Sequence, residues 1–173
     1  MASGLLFLLL LGIGGNMFSE ALLPVCFPGL CPICPRGWTD YNGYCYQFVN
    51  QELAWADAEI FCNKHKAHLT SIKNTDQYNF IRHLIVKGAG FNQKSWVGGT
   101  NAVRNDLWMW TDGTLFTFKN WGPSEPNNQG GNEHCMDMNL REQDYVNDEE
   151  CIQELSFVCI KPVKRTKIIK NTT

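Results

Sequence analysis

A chain of 173 residues, 44% apolar and 12% aromatic, has material for one compact domain with processed ends and not for a second core. Its formal charge of −2 lacks the basic field that phosphate neutralisation needs, which excludes a nucleic-acid binder as such. One asymmetry stands out: Lys161, Lys164, Arg165, Lys167 and Lys170 crowd the last thirteen residues, either as a solvated tail or as a contact for acidic glycans or membranes.

The chain starts "MASGLLFLLLLGIGG", an apolar run centred on Leu5 to Ile13 that is short of the roughly 20 residues a bilayer span takes. It reads as a signal peptide over residues 1–21, with Ser19 and Ala21 as the small residues before the cleavage point. No second long apolar stretch follows, so the expectation is a secreted, extracellular protein with no transmembrane segment. Residues 22–33 begin a Pro- and Cys-rich leader, "LLPVCFPGLCPICPR". All eight cysteines lie beyond the proposed cleavage point, and in an oxidising compartment they should be mostly disulfides, although spacing does not assign the pairs. A zinc or redox site at Cys31 and Cys34 is disfavoured by the surrounding prolines and by export.

"YNGYCYQF" comes next, where Asn42 and Gly43 suit a hairpin turn and Tyr44, Tyr46 and Phe48 alternate on one face of a strand. In "ELAWADAEIFCNKH" the period becomes helical, with Trp55, Ala58 and Cys62 on one stripe. "NTDQYNFIRHLIVKG" signals a second helix: Asn74 with Gln77 resembles a capping box, Tyr78, Ile81 and Ile85 share a face, and Gly88 is the expected stop. Short strands and glycine turns follow in "SWVGG", "LWMWTDG", "CMDMN" and "SFVCI", so the class is α+β.

Catalytic signals are weak. His65 and His68 lie three apart beside Cys62, but they follow a helical stripe whose cysteine is expected to be oxidised, so packing or surface roles are expected. Ser71 and Ser95 lack the glycine context of a nucleophile elbow, and no nucleophile with an adjacent base is visible. The expectation is a protein that is not an enzyme.

The most unusual stretch is "GPSEPNNQGGNEH", Gly122 to His134, with no Ala, Val, Leu, Ile, Met, Cys, Phe, Tyr or Trp. Having nothing apolar to bury, it should be disordered or ordered by something bound. Glu125, Asn127 and Glu133 lie within nine residues, and Asn147 and Asp148 follow the strand containing Cys135. All five offer oxygen, which suits a hard cation such as Ca²⁺ with its roughly six to eight oxygen ligands. Three mutually repelling carboxylates would keep the loop open, and a calcium ion would reverse that. Pro126 restricts Glu125, and a cis bond there would turn both flanking side chains the same way.

From Cys34 to Pro162 the chain resembles a C-type lectin domain, and within that family the soluble fish-type lectins. The resemblance runs through "CPRGWTDYNGYCYQF", "AWADAEIFC", "SWVGGT", "WMWTDG", Asn120 with Trp121, "EPN" and "GNEHC", in that order. It implies a disulfide-stapled α+β fold with two helices, short antiparallel sheets and a long calcium-binding loop region over residues 34–162, followed by a basic tail, 163–173. It also implies the pairs Cys34–Cys45, Cys62–Cys159 and Cys135–Cys151. Cys26 and Cys31 are then left to close a short loop or to bridge chains into a disulfide-linked homo-oligomer, which would raise weak single-site affinity by multivalency.

Carried over residue by residue, the resemblance makes Glu125, Asn127, Glu133, Asn147 and Asp148 the calcium ligands. The first four also contact sugar, whose vicinal hydroxyls donate to carboxylates and accept from asparagine amides. Glu-Pro-Asn, as opposed to Gln-Pro-Asp, resembles the version that prefers mannose-type sugars over galactose, because exchanging acid and amide exchanges acceptors for donors. Val146 replaces the tryptophan that commonly precedes the Asn-Asp pair, and Asn101, Asn105 and Asn128 stand near positions where some members carry acids for an auxiliary ion. The functional expectation is a secreted, calcium-dependent lectin for mannose-type glycans, with agglutination of cells in defence or a venom role as its expected uses. The alternative is a non-sugar use of the fold, ice-binding as in type II antifreeze proteins or protein-binding as in venom lectins. Asn171 with Thr173 forms a glycosylation sequon at the chain end.

Overall fold

The computed structural model describes residues 34–139 and 145–164. The expected signal peptide, the expected leader with Cys26 and Cys31, the Asn171 sequon and the expected tail from Arg165 onward lie outside the described residues.

Strands β1 (Thr39–Tyr41) and β2 (Tyr44–Leu53) form the expected hairpin, with Asn42 at φ 48° and Gly43 at φ 80°. Two successive positive φ values are what a two-residue hairpin turn requires, and Asn-Gly adopts them at little cost. Tyr44, Tyr46 and Phe48 face one core, which they share with Ile81, Leu84 and Ile85.

Helix α1 (Trp55–Lys64) has no side-chain N-cap at Ala54, so tertiary contacts must hold it. Ala58 and Cys62 are fully buried, Trp55 Nε1 donates to Val97 O at 2.9 Å, and Cys62 is bonded to Cys159. Helix α2 (Thr75–Ala89) carries stronger local signals. Asn74 Oδ1 accepts from Gln77 N at 2.9 Å, while Gln77 Oε1 accepts from Lys73 N at 3.0 Å, a close variant of the capping box. The helix runs past the expected stop at Gly88 and ends at Gly90, whose φ of 90° supplies the left-handed cap. Gly88 is glycine for packing: a Cβ there would sit 2.4 Å from the Phe48 ring.

Between and after the helices come β3 (His68–Leu69), β4 (Ser95–Thr100), β5 (Met109–Trp110), β6 (Glu133–Met138), β7 (Val146–Glu150) and β8 (Leu155–Pro162). The short sheets join along one path, β1-β2-β8-β4-β6-β7, with β3 on β8 and β5 on β4. Pairing is antiparallel except between β4 and β8, where Ser95 meets Ser156 and Trp96 meets Phe157. One core packs α2 against the sheet and the other packs α1 around Trp96 and Phe157.

The bonds Cys34–Cys45, Cys62–Cys159 and Cys135–Cys151 agree with the expected pairing. They staple the hairpin, α1 to β8, and β6 to the turn after β7. The last of these fixes the β6–β7 end of the sheet, on which the polar loop rests.

Candidate functional site

The loop is held at its start by Trp121, whose ring lies 4.8 Å from that of Trp108, and by Gly122 N, which donates to Val146 O at 2.8 Å. Beyond that, polar groups replace the missing apolar ones. Asp148, fully buried in β7, accepts from Asn127 N at 3.0 Å and from Asn128 N at 2.8 Å. Asn128 Oδ1 accepts from Glu133 N at 3.0 Å, and Gln129 N donates to both Asn127 Oδ1 and Glu133 Oε2. Ser124 and Asn128 take positive φ, and the Glu125–Pro126 bond is cis. The sequence suggested disorder or a bound group. The structure adds a third means of order, a buried carboxylate that collects the loop's own backbone N–H groups.

Glu125, Asn127, Glu133 and Asn147 line one open groove of about 770 Å³, with Tyr145 and Glu149 on its wall. The fifth expected ligand, Asp148, lies beneath the groove with both carboxylate oxygens engaged by the loop. Its backbone carbonyl accepts from Asn147 Nδ2. Glu125 N donates to Gly122 O at 3.0 Å, while among the described residues its buried Oε2 has no hydrogen-bond partner.

Burial, followed by the nearby charge of Asp148, raises the Glu125 carboxyl above the usual range. Burial also raises Glu133, against the pull of the Gln129 backbone N–H. In both, burial is the main cause and the charge of Asp148 adds to it. Among the described residues, no three His, Cys, Asp or Glu side chains stand where they could hold a metal ion by themselves. A cation would therefore draw on the amide oxygens of Asn127 and Asn147 as well. The unpartnered Glu125 oxygen, the two raised carboxyls and an all-oxygen donor set fit a hard divalent ion.

Three further groups matter that the sequence did not single out. Asp137, opposite Asn147 in the β6–β7 register, is fully buried, and burial pushes its carboxyl up to about 8, with Lys94 and the Asn147 amide pulling the other way. Lys94 Nζ lies 3.7 Å from Asp137 Oδ2 and also contacts Glu149. The only local sign of this cluster is an acid between two methionines in "CMDMN"; its partners come from β7 and from the residue before β4.

The remaining candidates are dispersed. His68 Nδ1 meets Glu59 at 2.6 Å and His65 Nδ1 meets Phe61 O at 3.0 Å, so the two rings serve separate contacts. Ser71 Oγ donates to Asp112 at 2.6 Å, and Ser95 pairs with Ser156. Asn101 bonds to Asn105 O and to His134 Nδ1, while Asn128 serves the loop.

Residues 51–161 match the Lectin C-type domain family. The chain is 36% identical over 151 residues to the galactose-specific lectin nattectin of Thalassophryne nattereri, covering 87% of this chain and 89% of that protein. The structure is similar to that of herring type II antifreeze protein, with a TM-score of 0.70 and 33% identity over 76% of this chain and all of that one. It is also similar to a Ca²⁺-dependent type II antifreeze protein in its Ca²⁺-free form, with a TM-score of 0.68 and 34% identity over 74% of this chain and 99% of that one.

Proposed function

The chain belongs to the C-type lectin domain family, and on that premise we propose that it is a secreted, calcium-dependent lectin whose groove takes mannose-type sugars. The observation that carries this reading is the convergence of Glu125, Asn127, Glu133 and Asn147 on one groove, with both glutamates raised and a buried Glu125 oxygen unpartnered. Glu125, Asn127, Glu133 and Asn147 would hold the ion, with Asp148 ordering the loop that carries the first three. Calcium, when bound, supplies positive charge and open coordination positions for two neighbouring hydroxyls of a sugar.

The protein's own groups do the rest. Glu125 and Glu133 accept from the hydroxyl protons, and an amide N–H donates to a hydroxyl oxygen. Binding proceeds without bond breaking. The order acid, proline, amide at Glu125 to Asn127 sets which side of the hydroxyl pair meets an acceptor, and this supports mannose-type over galactose-type sugars. Nattectin is named for galactose, so the two selectivities make a sharp test.

A mannose column provides that test. Retention released by EDTA and by free mannose, but not by free galactose, is expected; release by galactose alone would overturn the selectivity. Passage straight through by calcium-loaded protein would remove the sugar reading. In that event the similarity to type II antifreeze proteins supports the second reading, ice binding, which thermal hysteresis would detect.

A further inference from the structure

The basic residues that begin at Lys161 have no part in the groove, and the first of them line a cavity of their own. It has a volume of about 290 Å³ and lies where the end of β8 meets the β1–β2 hairpin and the turn after α1. Pro35, Cys45, Pro162 and Val163 supply apolar walls, and Lys66, Lys161 and Lys164 supply charge. Among the described residues no Asp or Glu lines this cavity, and none of the three lysines has a carboxylate partner. The walls are anchored: Cys45 is bonded to Cys34, beside Pro35, while Val163 N donates to Gly43 O at 3.0 Å and Lys66 N donates to Asn63 O at 2.9 Å.

Lys161 is half-buried, with Nζ 3.7 Å from the centroid of the Trp38 ring and donating to His65 O at 3.3 Å. An ammonium group has three donors, so this contact leaves donors free for a ligand. Burial, and after it the charge of Lys164, holds the Lys161 ammonium below its ordinary value. Lysines at the end of α1 have a simple explanation in the helix macrodipole, which suits Lys64 in the last turn and Lys66 just beyond it. Lys161 and Lys164 stand at the end of another element, where that explanation does not apply. Cations gathered without an acid repel one another, and a bound anion reverses the sign of that interaction.

We propose that this cavity is a second, calcium-independent glycan site, in which Lys66, Lys161 and Lys164 take the sulfate groups of an anionic polysaccharide. Lysine ammonium groups act as point charges on the oxygens of a tetrahedral anion, whereas the planar fork of arginine suits carboxylates better. The apolar walls suit the C–H faces of a sugar ring. In sequence Lys164 is followed by Arg165, Lys167 and Lys170, charge that suits a polymer more than a single anion. A lipid surface would also need apolar side chains projecting beside the charges, and none of the large exposed apolar side chains among the described residues lines this cavity. The cavity is built on β2 and β8 and the groove on β6 and β7, with β4 between them, and no residue lines both. The two sites can be filled together, and this inference stands whether or not the groove binds sugar.

Heparin, a heavily sulfated polysaccharide, is the probe. The full chain should be retained on a heparin column equally in calcium and in EDTA, and released by rising sodium chloride as the charges are screened. A chain carrying Lys66→Gln, Lys161→Gln and Lys164→Gln should lose that retention or elute at clearly lower salt, with an unfolding temperature near wild type. If the triple variant does not fold, Lys164→Glu, at an exposed position, should show the same shift. Wild-type protein that passes straight through, or variants that elute with wild type, would overturn the proposal. So would retention that requires calcium, which would assign it to the groove. A second chain with Arg165, Lys167 and Lys170 all changed to Gln should keep more retention than the cavity variant; the reverse order would move the contact to the tail. Release by hyaluronan, which has carboxylates and no sulfate, as readily as by free heparin would overturn the sulfate assignment. Sedimentation with phosphatidylserine–phosphatidylcholine vesicles in the absence of heparin retention would make the cluster a membrane contact instead.

Discussion

Helix α2 and the loop from Gly122 to His134 are ordered by opposite means. In α2, Tyr78, Ile81, Leu84 and Ile85 are buried in an apolar core, and a polar cap only defines the ends. In the loop nothing apolar is buried; Asp148, Glu133, Asn127 and Asn128 collect backbone N–H groups instead. Order obtained by burial is insensitive to ions and acid, whereas order obtained from carboxylates can be altered by both. The fold thus keeps its responsive part at one end of the sheet and its insensitive part behind it.

Opening the insensitive part should have the largest effect. Replacing Cys62 and Cys159 by alanine removes a cross-link spanning 97 residues, which should cost about 5 kcal/mol and unfold α1 together with the sheet, as read by thermal denaturation. Asp148→Ala comes next, since it strips the acceptors from two backbone N–H groups. A loss of about 2–4 kcal/mol is expected, along with loss of calcium binding and increased proteolysis within the loop. Glu125→Ala should be the mildest for stability and the cleanest for function. Its unfolding temperature in EDTA should stay near wild type while mannose retention disappears; global unfolding of this variant would mean that the groove and core are not separable.

A pH series sharpens the same contrast. Burial raises Glu125 and Glu133, so in calcium-free protein their contribution to stability is fully present at low pH, where both are protonated in folded and unfolded chains. It is lost as pH rises through the raised values. Calcium acts in the opposite sense, because it needs both groups ionised. The rise in unfolding temperature produced by calcium should therefore shrink on acidification, beginning above the usual carboxylate range. A calcium increment that is flat down to that range would show that these two groups are not ligands.

The sequence exposed what is local. Asn42-Gly43 forms its turn because two adjacent residues must take positive φ, and Asn74 caps α2 because its partner is three residues away. Helix α2 ends two residues beyond the expected stop because Gly88 is a packing glycine facing Phe48, a contact between distant segments. The site followed the same rule. The oxygen-rich composition of the loop and the Asn147-Asp148 pair was legible, and four of the five residues meet in one groove. The clamp formed by Asp148 and the cluster of Asp137 with Lys94 were not, because both depend on which strands lie side by side. A carboxylate in a strand reads alike whether it faces an ion, a backbone or an ammonium group.

Calorimetric titration of mannose into the calcium-loaded chain, repeated after EDTA treatment, decides whether this groove binds sugar through calcium. Saturable binding in the first titration and none in the second is the predicted result, with the protein folded in both by circular dichroism. Equal mannose binding with and without calcium, or none in either by folded protein, would contradict it.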